Sequence, residues 1–274
     1  MRNNSINEHR ESNKIISDYV KRKSDYLFIH YARQNCFSDA YEKGPRVVAI
    51  GAMNANSEQF VVFSLKKSAD KQGKSFFELS DSEKDIIESS MLQDFFEYVE
   101  NNKDKVWLHW NMKNNNFGFS AIEDRFRMLN GNPIHFEEGK LINISVLLKK
   151  KYGINYAKDN IWNGKTMGKM YDIFILNQIT DSNILDGERE IIEYIVKNIT
   201  SIEQSVLGKL KAFKIIMEKT ADNVLKCRGN ILKDVYGLNI MGIARYIQDN
   251  ALLALLFSIL GGIVATVICH WFGL

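Results

Sequence analysis

The spacing of apolar positions changes several times along the chain, and each change predicts an element. Residues 1–24 are polar and charged, with Ile15, Ile16, Tyr19 and Val20 at helical spacing, which predicts a short amphipathic helix or a loosely held tail. Three short apolar runs follow, Tyr26 to Tyr31, Arg46 to Ala52 and Gln59 to Leu65, each of strand length. Asn54-Ala55-Asn56-Ser57, between the last two, is a hairpin-like turn of polar turn formers. Ser80 followed by Glu83 fits a capping box. Behind it Ile86, Ile87, Met91, Leu92, Phe95, Phe96 and Val99 recur every three or four residues, the period of a helix. Val106 to Trp110 reads as a buried strand, and Phe117 to Leu129 as a helix with Ile122, Phe126 and Leu129 on one face. The order β-β-β-α-β-α predicts an α/β domain with a mixed sheet, a hairpin first and then a crossover helix to a parallel strand.

Beyond Gly131 the pattern is mostly helical. Helices are expected over Leu141–Tyr152, Thr166–Gln178 and Ile231–Tyr246. A long helix is expected from Asp186, a good N-cap with Glu188 and Glu190 in its first turn, to about Cys227. The expected organisation is an N-terminal helix or tail over 1–24, an α/β soluble domain over 25–185, a helical stalk over 186–248, and a transmembrane helix over 249–274.

That last segment stands apart. From Ala251 to Cys269 no residue is charged, and this length at ~1.5 Å per residue spans ~28 Å, close to the ~30 Å of a bilayer's hydrocarbon core. A core helix seldom runs so far without a polar face. Lys226, Arg228, Lys233 and Arg245 precede it, and no Lys or Arg follows within the sequence. The positive-inside rule therefore predicts a single-pass protein with residues 1–248 in the cytoplasm and Leu274 across the bilayer. Ala254, Ser258 and Gly262 recur every fourth residue, with Thr266 continuing the row, and so share one helix face. Small residues on one stripe let membrane helices approach closely, which predicts a homo-oligomer, though such residues are common in membrane helices generally.

Charge and cysteine content narrow the chemistry. A net charge of +3 over 274 residues does not by itself argue for nucleic acid. Cys36, Cys227 and Cys269 sit in no metal-ligand spacing and make no disulfide framework, so they read as reduced thiols. There is no secretory h-region at the start, and no P-loop, dinucleotide fingerprint, nucleophile elbow or zinc motif. No cofactor is implied.

The run FIHYARQN, then PRVVAIGAMNANSEQFVVFSL, resembles the opening of the DEDD-type 3′–5′ exonucleases of the ribonuclease H-like superfold. WLHWNMKNNNFGF resembles that family's second motif, with His109, Asn111 and Phe117 standing where its His-Asn and Phe-Asp would be. The resemblance covers roughly residues 25–130 and implies a ribonuclease H-like mixed sheet. It also implies a site that has lost its metals. Such nucleases hold two metal ions with clustered carboxylates. Here the Asp-x-Glu positions fall on Ala32 and Gln34, and the second-motif acid on Gly118 or a neighbouring Asn.

The expectation is therefore a degenerate nuclease-like domain that binds or senses a ligand, nucleic acid or nucleotide, and couples it to association of a membrane helix. Gln34, His109, Asn111 and Asn116 are the candidate ligand-binding residues, with no catalytic or metal-binding residue assigned. His109 and Asn111 also read as the polar end of a core strand, and Asn114 to Asn116 as a loop. Soluble sensors fused to short membrane modules occur among bacterial antiviral effectors, an analogy of architecture alone. An active membrane-attached nuclease and a membrane scaffold without catalysis are the competing expectations.

Overall fold

The apolar run after residue 25 becomes the middle strand of a five-stranded sheet in the computed structural model, which describes residues 2–34, 44–113, 117–162 and 165–272. The chain divides into two compact units: a larger one, Lys14–Leu147 with Lys158–Lys226, and a smaller one, Met1–Asn13 with Leu148–Ala157 and Cys227–Leu274. Helix α1 (Arg2–Lys21) opens the chain, and the central strand is β1 (Tyr26–Arg33). β2 (Val47–Asn54) pairs with it antiparallel, and β3 (Phe60–Ser64) pairs antiparallel with β2. Two helices, α2 (Leu65–Lys71) and α3 (Asp81–Asn101), then carry the chain to β4 (Val106–His109), which lies parallel to β1. After α4 (Phe119–Met128), β5 (Leu141–Asn143) adds parallel to β4 and runs straight into α5 (Ile144–Tyr152). The sheet order is β3-β2-β1-β4-β5. The fold is mixed α/β.

Local chemistry accounts for several of these boundaries. The capping box at α3 is complete: Ser80 Oγ accepts from Glu83 N–H, and the Glu83 carboxylate accepts from Ser80 N–H. Asn54 closes the β2–β3 turn, its side-chain oxygen taking the N–H groups of Asn56 and Ser57 at 3.0 Å each. Successive side chains of β1 point to opposite faces. His30 meets Phe213 at 5.7 Å on one side. On the other side Trp107 of β4 meets Tyr98 of α3 at 6.2 Å and Phe136 at 5.5 Å.

The stretch read as one long helix divides. α6 (Lys169–Leu176) precedes it, then α7 (Gly187–Ile195) and α8 (Ile199–Ala221) are separated at Lys197, whose φ is 65°. Asn198 restarts the helix by accepting from Ser201 N–H at 3.2 Å. α8 is no stalk: it lies on β1 and β2 within the larger unit. Gly51 of β2 makes this possible, because a Cβ there would come within 2.7 Å of Val206. Two further differences are short strands. β5 occupies the start of the expected Leu141 helix, and β6 (Asn160–Trp162) pairs antiparallel with β7 (Lys165–Met167) where the next helix was expected to begin.

In the smaller unit a π-helical turn, Leu232–Tyr236, leads to α9 (Ile240–Asp249) and α10 (Ala251–Phe272). Ile6 of α1 packs with Val235 and Tyr236. Among the described residues no single helix is long and apolar enough to cross a membrane; α9 and residues Ala251–Thr266 of α10 pass that test only together, as a pair bent by 110°. Within the stretch expected as a membrane span, 249–274, α10 runs as one helix from Ala251 to Phe272 behind that bend. Cys36 lies outside the described residues.

Candidate ligand site at the strand ends

β1, β4 and β5 are mutually parallel through β4, so their carboxyl ends share one edge, where open α/β sheets place ligands. β4 ends on His109, which is fully buried. Its Nδ1 accepts the Met112 N–H at 3.1 Å, so the proton of the neutral ring sits on Nε2. That buried Nε2–H has no hydrogen-bond partner among the described residues. Burial, with the Lys113 charge adding to it, pushes the His109 pKa down to about 3, so the imidazole is neutral near pH 7. Phe119 packs edge-on against the ring at 5.1 Å.

Two residues on, Asn111 takes φ of 53°, a left-handed conformation that Asn tolerates better than most side chains. This turn lets Asn111 and Asn143 form a reciprocal pair across the ends of β4 and β5. Asn111 N–H donates to Asn143 Oδ1 at 3.2 Å, and Asn143 Nδ2 donates to Asn111 Oδ1 at 3.1 Å. Asn143 Oδ1 also accepts from Ser145 N–H at 3.0 Å, which caps the start of α5. Trp110, between His109 and Asn111, stacks on Phe213 at 6.1 Å.

On the β1 side, Gln34 follows the strand and its N–H donates to Arg46 O at 2.8 Å. Because Ile29 pairs with His109, Gln34 lies five residues beyond that level, on the order of 15 Å along the strand direction. The structure therefore groups His109 and Asn111 and sets Gln34 apart. Asn116 lies outside the described residues. His30, on the other face of β1, is held neutral by burial and by the nearby Lys209 charge. Phe117 stacks on Tyr31 with ring centroids 4.5 Å apart.

A cleft of about 400 Å³ elsewhere in the larger unit lies by Lys66, Lys74 and Lys197. Next to the β4 end a smaller one, about 270 Å³, is lined by Met112, Lys113, Ser120, Glu123 and His135. Glu123 is buried, accepting from Phe136 N–H at 3.4 Å and from Arg127 at 3.1 Å, with His135 Nδ1 at 3.1 Å. Ala32 is buried in β1, and Gly118 stands at the start of α4. No three His, Cys, Asp or Glu side chains among the described residues stand together in a way that could hold a metal ion.

Asn143 is the site residue that sequence reasoning missed. Its signal was the run Leu141-Ile142-Asn143-Ile144-Ser145, where an Asn interrupts an apolar stretch at the point a strand turns into a helix. The fold and the site together define a mixed α/β protein with neutral amides and a neutral imidazole at its parallel strand ends. The chain matches no protein-family model and no curated protein.

Proposed function

We propose that this chain is a membrane-anchored binding protein of the ribonuclease H-like class, whose strand ends take a nucleotide or a nucleic-acid strand without cleaving it. Occupancy of that site promotes association of the α10 helices. The observation that carries this reading is the Asn111–Asn143 amide pair at the ends of β4 and β5, next to the buried, neutral imidazole of His109. Amides donate and accept at once, which suits base edges and phosphate oxygens, and aromatic rings offer stacking surfaces. The order β3-β2-β1-β4-β5, with β2 antiparallel to both neighbours, supports the class.

The test uses the full chain in lipid nanodiscs with fluorescent single-stranded DNA, RNA and mononucleotides in the presence of Mg²⁺. Binding without degradation is expected. Asn111→Asp preserves the side-chain acceptor and the left-handed turn but sets a negative charge against phosphate, so affinity should fall about tenfold, ~1.4 kcal/mol. Failure of the wild-type chain to bind any of these probes, or degradation that a chelator abolishes, would overturn the reading.

The membrane half of the proposal rests on α10, where Leu252, Leu255, Phe257, Ile259, Leu260 and Ile263 are all exposed. In this reading residues 1–248 are cytoplasmic, as the flanking Lys and Arg predict. Ser258 Oγ donates to Ala254 O at 2.8 Å within the helix, and a Cβ added at Gly262 would meet nothing within 4 Å. Gly262→Ile therefore leaves the isolated helix unstrained and acts on a neighbouring helix alone. Cross-linking of the full chain in membranes is expected to drop several-fold in that variant at matched expression. Equal cross-linking of both forms would exclude the Ala254–Ser258–Gly262 stripe as the contact.

A further inference from the structure

We infer that α9 lies flat in the headgroup region of the bilayer that α10 enters, as an interfacial foot of the smaller unit. The inference rests on the anchor reading of α10. α9 has two unlike faces. Its inner face is tied to its own unit: Asp249 accepts from Arg10 Nε and Nη2 at 2.9 Å each and from Tyr236 Oη at 2.7 Å, and Tyr246 packs edge-on against Tyr236 at 5.3 Å. Gly242 sits so close to the carbonyls of Tyr236 and Gly237 that no Cβ would fit. The helix is thereby seated in one orientation.

That orientation turns its apolar stripe outward. Ile240, Ile243, Ala244 and Ile247 recur at i, i+3, i+4 and i+7, on the side opposite Gly242 and Asp249. Ile240 is 90% exposed and Ile243 40%, Ile247 is half-buried, and Leu238 and Met241 beside them are 68% and 66% exposed. A surface helix in water buries such a stripe; α9 presents it.

What covers the stripe follows from the neighbouring helix. Asn250 adopts an extended conformation that ends α9, and its side chain accepts from Leu253 N–H at 3.2 Å to start α10. The bend between the two axes is 110°. With α10 along the bilayer normal, α9 then lies within about 20° of the membrane plane. A helix in that attitude buries its apolar face ~5–10 Å into the boundary between headgroups and acyl chains.

The experiment places a fluorophore on the full chain at Ile240→Cys or Leu256→Cys, with the native cysteines replaced by Ser. The protein is reconstituted into mixed phosphatidylcholine–phosphatidylglycerol vesicles that carry a nitroxide either at the headgroup or deep in the acyl chain. The expected result is quenching at 240 at least about twofold stronger from the headgroup nitroxide, and at 256 stronger from the deep one. Ile240→Glu combined with Ile243→Glu, read from a fluorophore at Met241→Cys, should lose the headgroup quenching while position 256 keeps its depth. Deep quenching at 256 with none at 240 would overturn this inference and leave the anchor standing. No quenching at 256 would remove the anchor reading, and this inference with it. Self-quenching at 240 that disappears when the protein is diluted in lipid would assign the stripe to a second copy and overturn the proposal.

Discussion

Glu88→Ala is expected to cost the larger unit about 3–5 kcal/mol, the range for stripping one partner from a buried ion pair. Glu88 is fully buried on α3. Its carboxylate accepts from Val47 N–H at 2.8 Å, from Arg125 Nε at 2.9 Å and Nη2 at 2.6 Å, and from Arg46 Nη1 at 3.2 Å. Asp85 is the second acid of the cluster, taking Arg46 as an ion-pair partner. Asp81, mostly exposed, adds a third acid 3.9 Å from Arg46. Removing Glu88 takes from Arg125 the carboxylate it holds at 2.6 and 2.9 Å, and leaves the Val47 N–H at the start of β2 without its acceptor. Chemical denaturation of the full chain, followed by a probe in the larger unit, measures the effect. A loss under about 1 kcal/mol would mean that water reaches the cluster and screens it as it does a surface pair.

The second large effect is a loss of stability in mild acid. His109 is neutral in the folded protein because burial has lowered its pKa to about 3. In the unfolded chain the same ring titrates near the ordinary value of 6.5. The unfolded state therefore binds the proton first. Stability from the neutral ring is complete above pH ~6.5 and is lost as pH falls toward 3, by about 2 kcal/mol between pH 7 and pH 5. His30, shifted in the same direction by its own burial and by Lys209, adds to the slope. His109→Asn supplies an acceptor for the Met112 N–H but does not titrate. Thermal unfolding at the two pH values should show the variant losing about 2 kcal/mol less than the wild type. Parallel pH profiles would show that His109 is solvated or charged in the folded protein.

Much of the first half of the fold was legible because its signals are local. A capping box is completed by residues three apart, and Ser80 with Glu83 forms both of its hydrogen bonds. The apolar runs that became β1 to β4 are long enough, and far enough from helical spacing, to declare themselves before any partner is known. Asp186 caps α7 as its position suggested, accepting from Arg189 N–H at 2.9 Å. In the candidate site, His109 and Asn111 could be found because they end a strand whose texture was already readable.

The sequence by itself determined the α/β order, the caps, and the uncharged stretch from Ala251 that no soluble surface would favour. Only the tertiary structure decided the rest, because the deciding partners are remote in the chain. β5 is three residues long and is a strand only through its ladder with β4. Asn143 becomes a site residue because Asn111, 32 positions away, turns back toward it. Glu88 looks like one more exposed helix acid until Val47 and Arg125 close over it, 41 and 37 positions away. The stretch Ile231–Tyr246 reads as one amphipathic helix; the chain instead breaks after Tyr236 and starts α9 at Ile240, and the Tyr236–Gly237 backbone and Arg10 hold the polar side of α9 inward. Hydrophobic periodicity says that a helix has an apolar face; which way that face points is set by what the opposite face is bonded to.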